Sequence, residues 1–384
     1  MTSPLPGTGN LFTLDPEVAH LNHGSYGAVP VPVQRVQARL RAEQERDPDG
    51  FFLDLPDRIA RARAEVASAL GGDPGKLALL TNVTEGVAVA LDTVPLGPGD
   101  EVLVTDHGYG VVTRAAERRA AESGATVRCV RISPHAPDEE AVRDRVLDAV
   151  TPRTRVAVLD LITSPTARAI ATPELLADLA ARGVVTVVDA AHAPGMLPVD
   201  LGGAAGGADF WIGNLHKWAF APRAAAVLAV TAAWRPKVRP LMLSWEHDRG
   251  FPARVEWRGT CDYTPWLAAP AGFALLEKLG TDRVRRHNEA LVGHGRRQLI
   301  ERAGLRPLAE CAGTSMRALR LPPGVAESEH AAKALMVAVR RRLGARIAVR
   351  PWIGGGVLRV SAQVYNRPEE YVRLAEGLTH LITR

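Results

Sequence analysis

The chain has 384 residues, 46% of them hydrophobic and 23% charged, with a formal net charge of +5. That is room for two domains, or for one large α/β domain with a satellite, in a composition ordinary for a globular protein. No apolar run is long enough to span a bilayer, and the arginines are interleaved with acids, so neither a membrane nor nucleic acid is expected as a partner. MTSPLPGTGNLFTLDPE lacks the basic and apolar regions of a signal peptide, and Cys129, Cys261 and Cys311 are too scattered for a disulfide framework or a zinc site. A cytoplasmic protein without a structural metal is the expectation.

In chain order, residues 1–20 read as an extended arm, and LNHGSYGAVP (21–30) as a turn-rich segment that places Asn22 and His23 beside glycines. Helical spacing covers about 31–48 and 54–70. LALLT (77–81) is a short apolar strand, and NVTEGVAVAL after it begins a helix capped by Asn82 or Thr84. The free N–H groups of such a helix start, with the Thr84 hydroxyl, suit a phosphate, though capping alone accounts for the threonine equally well. EVLVT (101–105) is a strand leading to DHGYG, where His107 and Tyr109 are flat side chains at a carboxyl end. Strands at 125–132, 155–162, 184–189 and 224–230 follow, separated by helical stretches such as PELLADLAARG. This alternation predicts a doubly wound, mostly parallel α/β sheet. After about residue 260 the pattern turns to long helices and strands with alternating polar residues, an α+β satellite. The expected division is an arm at 1–30, a large domain at 31–260 and a small domain at 261–384.

Two residues of the large domain draw the chemistry together. Asp189 ends the Val-rich strand VVTVVD, and Lys217 follows the apolar run FWIGNL. Ligands of open α/β sheets bind beyond the carboxyl ends of the strands, so both side chains should face one crevice. An acid and a lysine on one small molecule suit pyridoxal 5′-phosphate (PLP): the lysine forms an imine with the aldehyde, and the acid keeps the pyridine nitrogen protonated. Either residue could instead be a loop anchor or a surface charge. Composition favours the chemical reading, since the chain has five lysines against 42 arginines and Lys217 sits between Leu215 and Trp218. In the satellite, Arg359 alternates inward in VLRVSA, where its fork suits a carboxylate or a salt bridge.

The sequence resembles the class V aminotransferases, fold-type I PLP enzymes, and within them the isopenicillin N epimerase-like branch. The resemblance runs over nearly the whole chain on LNHGSYGAVP, TNVTEG, VTDHGYG, TSPTA, VVDAAHAPG, GNLHKW, EWRGTCD and RVSAQVYNRPEE. It implies that Lys217 carries the cofactor, Asp189 meets the pyridine nitrogen and His192 approaches the ring hydroxyl. Thr84, the Val83 backbone, His216 and Asn214 would hold the phosphate. His107 or Tyr109 would stack on the ring, and Thr163 would lie beside it. Arg359, helped by Asn22 or His23, would bind the substrate carboxylate. It also implies a homodimer in which Gly259-Thr260 is donated to the partner's site. Three departures bear on the substrate: Leu161 replaces a histidine of the branch, Cys261 replaces an arginine, and residues 221–224 read APRA instead of APKG.

The resemblance implies chemistry at Cα of an amino acid. Epimerisation, transamination and C–S β-elimination all remain open, with Lys217 as the proton carrier and His107 or Tyr109 as a second acid. A persulfide-forming desulfurase is disfavoured, because residues 320–384 contain no cysteine and Cys311 reads as an incidental thiol. A non-catalytic binding protein would have no need of Lys217.

Overall fold

The computed structural model describes all residues except 1–4, 6–7, 9, 135, 137, 203–204, 310, 353 and 383–384, so the first part of the expected arm lies outside the described residues. The chain forms two units, one of residues 32–164 and 169–275, the other of 1–31, 165–168 and 276–384.

The first unit is built on seven strands: β1 (Leu77–Leu80), β2 (Glu101–Thr105), β3 (Thr126–Val130), β4 (Thr154–Asp160), β5 (Val185–Asp189), β6 (Phe210–Asn214) and β7 (Ala226–Val230). Their spatial order is β1-β7-β6-β5-β4-β2-β3. Only β7 runs against its neighbours. Apart from the half-buried Val127 and Val185, the Val, Leu, Ile and Ala of these strands are buried on both faces, as a covered parallel sheet requires. Successive residues divide between two cores: Leu77, Leu79, Leu103, Leu159 and Val188 enter one, Ala78, Leu80, Val102, Val158 and Val187 the other. Helices α1 (Val83–Thr93) and α2 (Gly110–Ser123) cover the second face, while Leu55–Ala69 and Pro173–Ala181 cover the first. This is the doubly wound arrangement expected from the alternation of elements.

The second unit carries a four-stranded antiparallel sheet of β8 (Arg306–Pro307), β9 (Met316–Arg320), β10 (Ala348–Pro351) and β11 (Gly356–Ser361), in the order β10-β11-β9-β8. Helices Thr281–Ala303, Glu329–Leu343 and Pro368–Ile382 pack their apolar faces on it. The N-terminal segment joins this unit because Ala19–His20 pairs in parallel with Ala345–Arg346. The division between the units falls at 275/276, within helix Thr264–Leu279, rather than at 260. Tyr263, Trp266 and Ala269 are the cause, since they are buried in the core of the seven-stranded sheet.

One buried charge in that sheet sets an acid limb on stability. Glu101, at the start of β2, accepts from the Thr151 hydroxyl at 2.7 Å and pairs with Arg153 at 2.9 Å and Arg128 at 3.3 Å. Burial pulls its pKa up, but the hydroxyl and the two guanidiniums overcome this and hold it at about 2. A depressed carboxyl contributes stability above its unfolded value of 4.5, and this is lost as pH falls toward 2. Both arginines are largely exposed, so the contribution is about 1–2 kcal/mol after solvent screening. Thermal melts of Glu101→Gln should show a flatter pH dependence than wild type below pH 4.5, with a lower melting temperature at neutral pH. Parallel curves would refute the assignment.

Candidate active site

Two aspartates meet at the carboxyl end of the parallel strands. The parallel register pairs Asp160 of β4 with Asp189 of β5. Asp189 Oδ1 accepts the Ala191 N–H at 2.9 Å, and the Asp160 carboxylate accepts backbone N–H groups of Tyr109 and Ser164. Both side chains are buried. Burial first, and then the neighbouring charge of Asp189, holds the Asp160 carboxyl well above the usual carboxylate range. Burial raises Asp189 as well, while the Ala191 N–H and Lys217 draw it back down. Of the two, Asp160 is thus the one held further toward its neutral form, and Asp189 the one drawn back toward the carboxylate.

Lys217 lies in the loop that follows β6. Its Nζ is 3.3 Å from His192 Nε2, and His192 Nδ1 accepts the indole N–H of Trp218 at 3.2 Å. The turn after Asp189 is packed against this loop. Gly195 has φ +85°, and a Cβ there would lie 2.4 Å from the backbone C and O atoms of Trp218. Only glycine allows that approach. Leu215 and Trp218 are buried on either side of Lys217, the apolar setting its sequence neighbours indicate.

The start of α1 faces the same carboxyl edge. Asn82 is its cap, with the side chain accepting from Glu85 N at 2.9 Å, so Thr84 does not serve as the cap. The Thr84 amide and hydroxyl have no partner among the described residues. Val83 N donates to Asn214 Oδ1 at 3.0 Å, so the two residues hold one another and Asn214 keeps its amide donors. His216 Nδ1 is 2.9 Å from the Ala225 carbonyl. Burial, the nearby Lys217 and Arg223 lower its pKa to about 4, against the pull of that hydrogen bond. Arg258 reaches Glu85 at 3.2 Å and ties the Gly259-Thr260 loop to the first turn of α1. Thr260 is exposed, and Gly259 O accepts the Tyr263 hydroxyl at 2.8 Å.

The remaining candidates differ in setting. His107 is buried, with Nε2 3.1 Å from the Ile132 carbonyl, whereas Tyr109 is 39% exposed at the start of α2. Thr163 is buried in the loop after β4. In the second unit, Arg359 Nη2 donates to Asn22 Oδ1 at 3.1 Å and Ser25 Oγ at 3.0 Å. Its pKa is lowered to about 10, by burial first and then by Arg350, so it stays charged. His23 is committed elsewhere: Nδ1 meets the Tyr365 hydroxyl at 2.9 Å and Nε2 the Gln363 amide at 3.4 Å. Of the two sequence candidates beside Arg359, Asn22 is the one whose side chain accepts from it. No cluster of metal-binding side chains occurs among the described residues.

These residues fit PLP. An amine, a buried acid at the neighbouring strand end and unpaired donors at a helix N-terminus are the three contacts the aldehyde, pyridine nitrogen and phosphate require. The profile of the aminotransferase class-V family matches residues 42–374. The chain belongs to the class-V aminotransferase family. It is 34% identical to isopenicillin N epimerase of Streptomyces clavuligerus over 96% of both chains. It is also 28% identical to a probable chloroplastic L-cysteine desulfhydrase of Arabidopsis thaliana, over 96% of this chain and 84% of that one. The fold is that of the cystine C–S lyase C-DES in complex with its product cysteine persulfide, with TM-score 0.82 and 19% identity over 98% and 99% of the two chains. As a member of this family the protein is a PLP-dependent enzyme of fold-type I.

Sequence reasoning missed Asp160, Trp218, Arg258 and Ser25. Asp160 was hidden inside a strand read as 155–162. In the structure β4 ends at Asp160, and Leu161 N turns to the Asp189 carbonyl at 2.8 Å. The signal was there in two neighbouring apolar runs that each reach an aspartate, VAVLD and VTVVD.

Proposed function

We propose that this enzyme binds an α-amino acid by its carboxylate through Arg359 and moves a proton on and off Cα with Lys217. The observation that carries this reading is the half-buried Lys217–His192 contact beside the Asp160–Asp189 pair. When bound, PLP supplies the electron sink for the pair left at Cα. Asp189, the member of the pair drawn back toward the carboxylate, holds the proton on the pyridine nitrogen. Lys217 Nζ carries the Cα proton. Thr84 and the Asn214 amide donate to the phosphate. Arg359, held by Asn22 and Ser25, presents its fork to the substrate carboxylate. Tyr109, the more open of the two candidate rings, is the group proposed to stack on the pyridine.

Epimerisation is the reading favoured by the 34% identity to isopenicillin N epimerases over 96% of each chain. C–S β-elimination is the second reading, supported by the exposed Tyr109 hydroxyl as a proton donor to a leaving thiolate and by the likeness to cysteine desulfhydrases. Incubation with amino acids in D₂O tests both. Deuterium at Cα with inversion supports the first, pyruvate with a free thiol supports the second, and no exchange at Cα with any amino acid refutes the proposal.

His216 gives this site a pH dependence. Its Nδ1–H donates to the Ala225 carbonyl, so the neutral ring offers a phosphate only the Nε2 lone pair. Holding a phosphate dianion then requires a proton at Nε2. With a free pKa of about 4, binding takes up a proton above that pH, and affinity weakens as pH rises until the bound-state pKa is passed. Titration of the cofactor-free protein with PLP at several pH values should show this slope, and His216→Gln should remove it. A slope that persists in the variant would rule the residue out.

We also propose a homodimer. Leu243 is 82% and Trp245 94% exposed, in the sheet unit that carries the exposed Thr260. Apolar side chains of this size on one short segment call for a cover. Sedimentation of the purified protein should give twice the monomer mass, and Trp245→Glu should give monomers. A wild-type monomer that retains full activity would overturn the proposal.

A further inference from the structure

We propose that Trp218 is a positioning residue that fixes His192 in its Nε2–H tautomer, so that His192 donates to Lys217 Nζ and keeps that amine uncharged and nucleophilic. The argument begins with what each group can do. An indole nitrogen donates and never accepts, so the 3.2 Å contact from Trp218 Nε1 requires a bare Nδ1 on His192. A neutral imidazole with a bare Nδ1 carries its proton on Nε2. That nitrogen lies 3.3 Å from Lys217 Nζ, and an ammonium has no lone pair to receive it. The contact is therefore a hydrogen bond only when Lys217 is a free amine.

Asp160 and Asp189 stand at the ends of β4 and β5, and His216 precedes the lysine in its own loop. Burial holds Asp160 toward its neutral form and lowers His216 to about 4. The Asp189 carboxylate favours the ammonium, while the His192 donor and the apolar walls of Leu215 and Trp218 oppose it. Trp218 is buried, with its ring tilted 53° to that of His192, so the direction of its N–H is set by packing. A lysine attacks an aldehyde only as the free amine, and an exposed lysine is almost wholly protonated at neutral pH. Trp218 thus acts through His192 to ready Lys217 for capturing the cofactor.

The inference rests on Lys217 being the cofactor-binding amine, but not on the reaction that follows. Its first test is the nitrogen NMR spectrum of histidine-labelled full-length protein, with His192 assigned by its absence in His192→Gln. The expected result is an Nε2–H, bare-Nδ1 imidazole across neutral pH. An Nδ1–H or doubly protonated ring overturns the proposal with no variant needed. The second test measures capture of added PLP by the cofactor-stripped full chain, trapped with borohydride, against pH. Trp218→Phe should mix the tautomers and slow capture about tenfold at neutral pH, the scale of one lost hydrogen bond. A folded Trp218→Phe protein with wild-type tautomer, or with a wild-type capture rate, overturns it. Failure of Cα exchange in D₂O would refute the function proposed above and leave both measurements standing.

Discussion

Lys217→Ala is expected to yield a folded protein that can no longer hold PLP covalently. Borohydride should fix a pyridoxyl group on the wild-type chain at the peptide containing Lys217, and on no peptide of the variant. The physical grounds are local. Leu215 and Trp218 are buried on either side of Lys217, whereas the lysine itself is only half-buried, so truncation leaves the packing of the loop in place. What is lost is the amine 3.3 Å from His192. Loss of proton transfer alone lowers turnover by roughly 10²–10⁴-fold, and the loss of covalent capture adds to it. The phosphate contacts and Asp189 remain, so the variant should still bind PLP reversibly. Covalent labelling of Lys217→Ala at another lysine would refute the assignment of Lys217, since four others are available at 76, 237, 278 and 333.

The fold was legible in the sequence because a buried parallel sheet needs apolar strands and spaced helices, and both leave a plain pattern. β5 and β6 were readable from VVTVVD and FWIGN, and with them the positions of Asp189 and Lys217. Strand ends were harder. Two further apolar residues, Leu161 and Ile162, follow Asp160, and nothing in their pattern marks the point where the backbone leaves the sheet. Ile162 instead pairs with Ala169 in an isolated bridge. The direction of a side chain was not legible at all. His23 and Asn22 are adjacent in sequence, yet one packs against Tyr365 and the other orients Arg359. His107 and Tyr109 are two residues apart, and one is sealed behind Ile132 while the other is open. Such differences arise from tertiary neighbours 25 to 342 residues away, which local spacing does not encode.

The acid pair at the strand ends leads to a contrast between two conservative substitutions. Asp189→Asn and Asp160→Asn change one atom each, on neighbouring residues of one register pair. Their effects should differ sharply because Asp160 is held further toward its neutral form than Asp189. Asp189→Asn removes the carboxylate that keeps the pyridine nitrogen protonated, and the electron sink is lost with it. Turnover should fall by about 10²–10³-fold, the scale of removing one preorganised electrostatic partner from a buried site. Asp160 is held toward its neutral form by burial and by Asp189. An asparagine there keeps an oxygen for the Tyr109 and Ser164 N–H groups and loses little charge, so turnover should stay within about tenfold of wild type. The same substitution leaves Asp189 as the sole acid of the pair. The visible band of the bound cofactor should therefore keep its wild-type position in Asp160→Asn and shift in Asp189→Asn. If Asp160→Asn were the more damaging of the two, the charge would rest on the other aspartate, and the roles argued for β4 and β5 would have to be exchanged.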